Sequence, residues 1–357
     1  MSTPHKSRFG QTKDGAEASR FTLENAKGER VELTDYGATI VSIFVLDKEG
    51  QLGNVNLGYD DVSKYEEASP YFGATIGRYG NRISKGGFTL DGQFYSIANN
   101  SEGATSSVHL HGGHKGFDKV IWDVKEHGLQ HIIFVYHSPD GEEGYPGALD
   151  VELKFTWSDA GELGMEYRAQ TNKKTAVNLT NHSYFNLKGA GEGNVLEHEL
   201  ELHSKEIVPT DINAIPTGEL MSVEGTPFDF QAPKAIGRDI GLEHEQLKFA
   251  GGYDHTFTFG DGVTVEPRLV AKVREAHSGR VLEVLTTEPG IQLYTGNFLG
   301  ENELPLPSGR KIEWRGGFCL ETQHYPDSVN NEHFPSVWLA PEEVYKTSTT
   351  YRFSVEQ

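Results

Sequence analysis

The chain has 357 residues, with 32 Lys+Arg against 52 Asp+Glu and a formal net charge of -20 at pH 7. So acidic a surface repels phosphate backbones and anionic headgroups, which argues against nucleic acid or a membrane as partner. The single cysteine, Cys319, excludes an intrachain disulfide framework and a thiolate zinc site, and fits a reducing compartment.

The opening MSTPHKSRFGQTKDG lacks the apolar segment of a secretory signal, and no apolar run long enough to span a bilayer follows. The expectation is therefore a cytoplasmic protein whose residues 1–18 form a polar, loosely ordered lead-in. Residues 21–31 and 38–46 are apolar and β-branched and read as strands separated by tight turns. A short helix is expected over 60–67. The runs 88–90 and 93–95 flank Asp91-Gly92, a strong two-residue hairpin signal. Further hairpins are predicted for 120–124 with 131–136, for 149–157 with 163–169, and for 269–275 with 281–285. The other helical piece is short and Gly-bounded, around 240–249. With 41 glycines, 15 prolines and short strands at regular intervals, the pattern predicts an all-β, antiparallel sandwich or barrel with few short helices, in one domain over 1–357.

Polar stretches interrupt this pattern: GRYGNRI (77–83), HLHGGHKGFD (109–118), NLTNHSYFNL (178–187), GGYDH (251–255) and FCLETQHYPD (318–327). NLTNHSYFNL carries more polar groups than a packing strand needs. If it is extended, Thr180, His182 and Tyr184 share one face and Asn181, Ser183 and Phe185 the other, the floor one would build for a small polar ligand; a strand with a satisfied, half-buried histidine is the alternative. GRYGNRI reads as a turn with solvated arginines or as a ligand loop, and GGYDH as an Asx-type turn or a ligand contact. In HLHGGH, His109 and His111 would share a strand face, which leaves open a metal pair, a ligand-facing imidazole or a loop histidine. The next Glu, Glu126, is distant for a metal set. In FCLETQ, Cys319, Glu321 and Gln323 share a face. A carboxylate in an interior strand is costly unless paired or used, so Glu321 is the best candidate base. Cys319 is a poor nucleophile, because a carboxylate two residues away raises its pKa.

Together these stretches, with EEGYPGALDVELKF, QLYTGNF and GFCLETQHYPDSVNN, resemble the aldose 1-epimerase (galactose mutarotase) family over nearly the whole chain. The resemblance implies a large antiparallel β-sandwich, the mutarotase-like supersandwich, with an open cleft and neither cofactor nor metal. It implies an isomerase that interconverts the α and β anomers of free aldohexoses such as galactose and glucose. Glu321 would be the general base, His182 the general acid and His111 a second imidazole, while Arg82, Asn81, Asp254 and Gln292 would hold the sugar. One position departs: His109 stands where the family carries a small polar residue before LHGG, which keeps the metal reading open. The chemistry asks for one ionised carboxylate and one protonated imidazole, the latter charged through neighbouring negative groups such as Asp254. A hexose 6-phosphate epimerase would need a basic cluster at the far end of the cleft, and the basic residues here are scattered. A sugar-binding module on the same fold needs neither proton-transfer group. The expected partner is a monosaccharide, with the protein a monomer or homodimer.

Overall fold

The computed structural model describes residues 4–260 and 262–356. Alternation of buried and open side chains generates the largest sheet. In Leu149–Trp157, Leu149, Val151, Leu153, Phe155 and Trp157 all point inward, and Glu162–Thr171 and Tyr345–Val355 follow the same rhythm. A period of two commits one face of each strand to the core. Nine strands pair in the order Asp123–His127, His131–Ser138, Leu149–Trp157, Glu162–Thr171, Tyr345–Val355, Arg280–Thr286, Arg268–Arg274, Glu199–Leu202 and Lys234–Ala235.

A second sheet packs over it, ordered Met221–Ser222, Glu206–Val208, Asp254–Thr258, Gly290–Tyr294 and Cys319–Gln323. Phe257, Ile291, Leu293 and Leu320 from this sheet share one apolar cluster with Leu153, Phe155, Met165 and Tyr351 from the first. Tyr351 donates to the Leu320 carbonyl at 3.3 Å. All pairings in both sheets are antiparallel. The antiparallel sandwich expected from the sequence is thus what forms.

The predicted hairpin at Asp91-Gly92 closes in register, Leu90 opposite Gln93, with both turn residues at positive φ (49° and 82°). The two predicted helices are shorter than their sequence windows. α1 (Val62–Ala68) is capped by Asp61, whose carboxylate accepts from Ser63 N–H at 2.9 Å. α2 (Glu245–Ala250) begins only after His244 and ends at Gly251, φ 66°.

The lead-in departs from expectation. Strand β1 (His5–Gln11) pairs with β2 (Glu17–Glu24) and opens a five-stranded meander through β3 (Arg30–Thr34), β4 (Thr39–Leu46) and β5 (Leu52–Asn54). Only Phe9 anchors β1 by burial, its ring 5.9 Å from Tyr65 of α1. The polar remainder is held by ladder hydrogen bonds that hydropathy does not reveal; residues 1–3 of the expected lead-in lie outside the described residues.

Residues 178–187 are strand only at Thr180–Asn181, which pairs with Thr75–Ile76. Asparagine side chains replace ladder partners in the rest: Asn178 accepts from His324 N–H at 3.0 Å, Asn181 donates to Gly73 O at 2.8 Å, and Asn186 donates to Gly193 O and Gly316 O. The loop 77–83 is likewise built from inside. Arg78 is not solvated: it is buried and donates to the carbonyls of Ser138, Pro139, Pro146 and Gly147 and to the Ser138 hydroxyl. Burial pushes its guanidinium pKa down, with Glu142 opposing the shift. Arg78→Ala leaves these acceptors unpaired and is expected to cost about 3–4 kcal/mol. The check is a lowered urea midpoint at unchanged m-value; a shift no larger than that of a surface substitution would contradict the assignment.

Candidate active site

Register places the site residues of the second sheet on one face. Gln292 lies opposite both Thr256 and Glu321, and Tyr294 lies opposite both Asp254 and Cys319. Directly paired residues share a face, so these six side chains look away from the core that holds Leu293 and Leu320. Glu321, Asp254 and Tyr294 floor a cleft of about 440 Å³ that His111, His182, Asn81 and Arg82 also line, while Gln292, Thr256 and Cys319 lie beneath that floor. A larger cavity, about 630 Å³, lies behind Tyr71 around Tyr36 and Asp118. We place the candidate site in the smaller cleft because His111, His182 and Glu321 converge there.

His182 Nε2 lies 3.6 Å from Glu321 Oε1 and its Nδ1 lies 3.5 Å from Cys319 Sγ. Glu321 is 2% exposed, and its Oε2 has no hydrogen-bond partner among the described residues. A buried carboxylate oxygen left unpaired is costly unless something else takes its hydrogen bonds. His111 sits at φ 51° just after Ser107–Leu110, held by the backbone of Asn81: Asn81 N–H donates to His111 Nδ1, and His111 N–H donates to Asn81 O, both at 3.1 Å. With Nδ1 accepting, the ring proton of neutral His111 is on Nε2. Donor atoms of His111, His182 and Glu321 lie within 4.8 Å of one another.

At the other end Arg82 Nη1 is 3.6 Å from Asp254 Oδ2, Gln292 Nε2 donates to Asp254 Oδ1 at 2.6 Å, and Thr256 donates to Gln292 Oε1. Arg82 is the only Lys or Arg among the described residues that line the cleft. Six of the seven residues singled out in the sequence therefore line one cleft, and Gln292 reaches it only through its bond to Asp254. His109 does not join them. Its Nδ1 lies 2.7 Å from Ala98 O and its Nε2 2.7 Å from the Tyr145 hydroxyl, so both ring nitrogens serve the packing behind the cleft.

Burial governs the electrostatics. It lowers the His182 pKa to about 4, with Asp254 only partly opposing it. It lowers His111 well below its usual range, helped by His182 and Arg82. It raises Glu321 well above the carboxylate range, reinforced by Asp254 and offset in part by Arg82. An imidazole kept protonated by neighbouring negative charge is thus not what the structure holds, because desolvation outweighs that charge. Burial and Glu321 also push the Cys319 thiol up, which removes it as a nucleophile.

Sequence reasoning missed Tyr71, Asn213, Tyr294 and Phe298, all on the cleft wall. Tyr184 was signalled by its alternation with His182. Tyr71 and Asn213 come from turns, where no periodicity marks them.

Comparison with known proteins bears on the chain as a whole. The sequence model of the family described as aldose 1-epimerase matches residues 19–352. The chain is 47% identical over 350 residues to galactose mutarotase of Bos taurus, covering 97% of each chain. It is 43% identical to galactose mutarotase of Homo sapiens (99% of this chain, 100% of that one), and 36% identical to aldose 1-epimerase of Escherichia coli K12 (96% and 97%). Among solved structures, an aldose epimerase homologue from C. elegans superposes with a TM-score of 0.86 at 28% identity, over 95% of this chain and 100% of that one. A galactose 1-epimerase from Lactobacillus acidophilus gives 0.84 at 25% identity over 100% of both chains. By family match, full-length identity and fold, this chain belongs to the aldose 1-epimerase family and is an enzyme of the isomerase class.

Proposed function

We propose that this enzyme equilibrates the α and β anomers of free aldohexoses, galactose and glucose foremost, with Glu321 as general base and His182 as general acid. The observation that carries the reading is the buried, unpaired Glu321 Oε2 on the cleft floor, beside an imidazole 3.6 Å from its partner oxygen. Glu321 takes the proton of the C1 hydroxyl while the C1–O5 bond breaks and His182 protonates O5. The open aldehyde rotates about C1–C2. On closure the O5 proton returns to His182, and the new C1 oxygen takes one from Glu321. No net proton is consumed, and no step calls for a redox group or a metal.

Burial favours the uncharged form of each group, a neutral imidazole on His182 and a protonated carboxyl on Glu321, the carboxyl proton being the one the pair can exchange. The working arrangement, carboxylate and imidazolium, is the same pair with that proton moved across. His111, its Nε2–H directed by Asn81, donates to the reacting end. Arg82 and Asn81 donate to sugar hydroxyls, while Asp254, oriented by Arg82 and Gln292, accepts from them. With Arg82 the sole Lys or Arg among the described residues that line it, and that one paired, the cleft suits a neutral sugar better than a phosphorylated one. We further propose that the chain works as a single cytoplasmic domain; among the described residues no helix is long and apolar enough to cross a membrane.

A metal reading draws on the proximity of His111, His182 and Glu321. One experiment addresses both readings. Freshly dissolved α-D-galactose is followed by polarimetry with enzyme before and after EDTA treatment. The expected result is faster relaxation to an unchanged final rotation, equally fast after EDTA. Loss of activity on chelation, restored by a divalent metal, would establish the metal reading; no acceleration with any free aldose would remove anomer interconversion.

A further inference from the structure

The turn 70–74 is tied to the residues that carry His182. Ala74 N–H donates to Tyr71 O at 3.0 Å and closes the turn. Gly73 N–H donates to His182 O at 3.0 Å, His182 N–H donates to Ala74 O at 2.9 Å, and Asn181 Nδ2 donates to Gly73 O at 2.8 Å. Within it Tyr71 stands at φ 67°, a left-handed conformation that a bulky residue keeps only where its surroundings over-determine it. The outcome of that backbone arrangement is ring packing. Tyr71 lies nearly parallel to His182 (5.7 Å, 20°), as does Tyr184 (5.0 Å, 19°). Tyr71 also meets His111 edge-on at 4.7 Å, and the two imidazoles meet at 5.2 Å and 75°.

The polar contacts of His182 are too weak to set its ring plane. A separation of 3.6 Å from Glu321 is beyond a good hydrogen bond, and a thiol at 3.5 Å is a soft partner. Orientation must then come from the rings. The titratable and charged groups around His182 are Glu321, Cys319, His111, Asp254, Tyr71 and Tyr184. On Tyr71 itself, Lys119 Nζ lies 5.7 Å from the ring centre and donates to His114 O, which helps to hold that wall.

We propose that Tyr71 is a positioning residue for anomer interconversion: its ring fixes the planes of His182 and His111 and presents a π face to the imidazolium that His182 becomes. The proposal rests on the reading of His182 as the acid. An aromatic face attracts a desolvated cation, and the attraction is absent from the neutral resting ring, so it acts on the charged state that gives up the proton. The Tyr71 hydroxyl has no part in this.

The test compares Tyr71→Phe and Tyr71→Leu, with Tyr71→Met in reserve should Leu unsettle the turn. Tyr71→Leu is expected to lower kcat about tenfold with KM held within about twofold, while Tyr71→Phe keeps kcat. A rise in KM at unchanged kcat would make Tyr71 a sugar contact and overturn the proposal, as would a Phe variant as slow as the Leu variant. In the His182→Asn background, Tyr71→Leu should add no further loss. A full tenfold loss there overturns the proposal and leaves the role of His182 standing. Wild-type turnover in His182→Asn alone overturns that role, and the proposal with it.

Discussion

Glu321→Gln is expected to abolish nearly all turnover, by about 10³-fold or more, while leaving sugar binding within a few-fold of wild type. The amide matches the carboxylate in size but cannot take the C1 proton, and its remaining oxygen still accepts from a hydroxyl. The same variant should be more stable. Glu321 has its folded-state pKa raised by burial, so its contribution to stability is fully present below the ordinary glutamate pKa and is lost as pH rises through the raised value. The glutamine has no charge to desolvate at any pH. Its advantage therefore grows with rising pH, to about 1–2 kcal/mol at neutrality. Activity follows the opposite sign. The base is lost as pH falls through that raised pKa, so the acid limb of kcat/KM should lie above the ordinary carboxylate range and belong to the coupled Glu321–His182 pair. Thermal unfolding at pH 5 and pH 8, beside turnover, checks both halves. A variant that is inactive and less stable at pH 8 would mean that Glu321 supports the fold as an ion rather than straining it.

That trade-off is written into the strand. Cys319–Gln323 is buried at every position, and the two sides of it have opposite duties. Leu320 joins the core and the Thr322 hydroxyl meets that of Thr349, while on the other side Glu321 faces the cleft and Cys319 packs under it against His182. Alternation alone revealed this division, because the strand is regular and a period of two fixes which residues share a face. The hairpin at Asp91-Gly92 was legible from its turn residues and that of 149–157 with 163–169 from its two apolar runs, while alternation placed Tyr184 on the face of His182.

Features with no period were not legible. The asparagines of 178–187 read as ligand groups, yet Asn178, Asn181 and Asn186 spend their amides on backbone partners from distant segments. Arg78 and Arg82 look equivalent in GRYGNRI, but one is locked among carbonyls and the other faces Asp254. A local sequence does not distinguish them, since the deciding partners, Ser138, Gly147 and Asp254, lie about 60 or more residues away. Protonation was the hardest to foresee. Counting charges near His182 predicts an imidazolium, and only the depth of burial reverses the sign.

His182→Asn is the second substitution with a large expected effect, a loss of about 10²–10³-fold in kcat with KM changed little. The two imidazoles differ in how readily each can exchange a proton at the reacting end. His111 has its Nδ1 occupied as an acceptor from Asn81 N–H, which commits its proton to Nε2; a ring locked in that tautomer donates a hydrogen bond well but, buried and beside His182 and Arg82, protonates with difficulty. His182 has no such lock. The thiol beside its Nδ1 tolerates either tautomer, and its Nε2 lies 3.6 Å from Glu321, the proposed base. His111→Asn is accordingly expected to act mainly on KM, and His182→Asn mainly on kcat. Measuring both variants under saturating and limiting sugar separates the roles. If the pattern is reversed, His182 is the ligand contact, and the acid is His111, working through the Nε2 proton that Asn81 directs into the cleft.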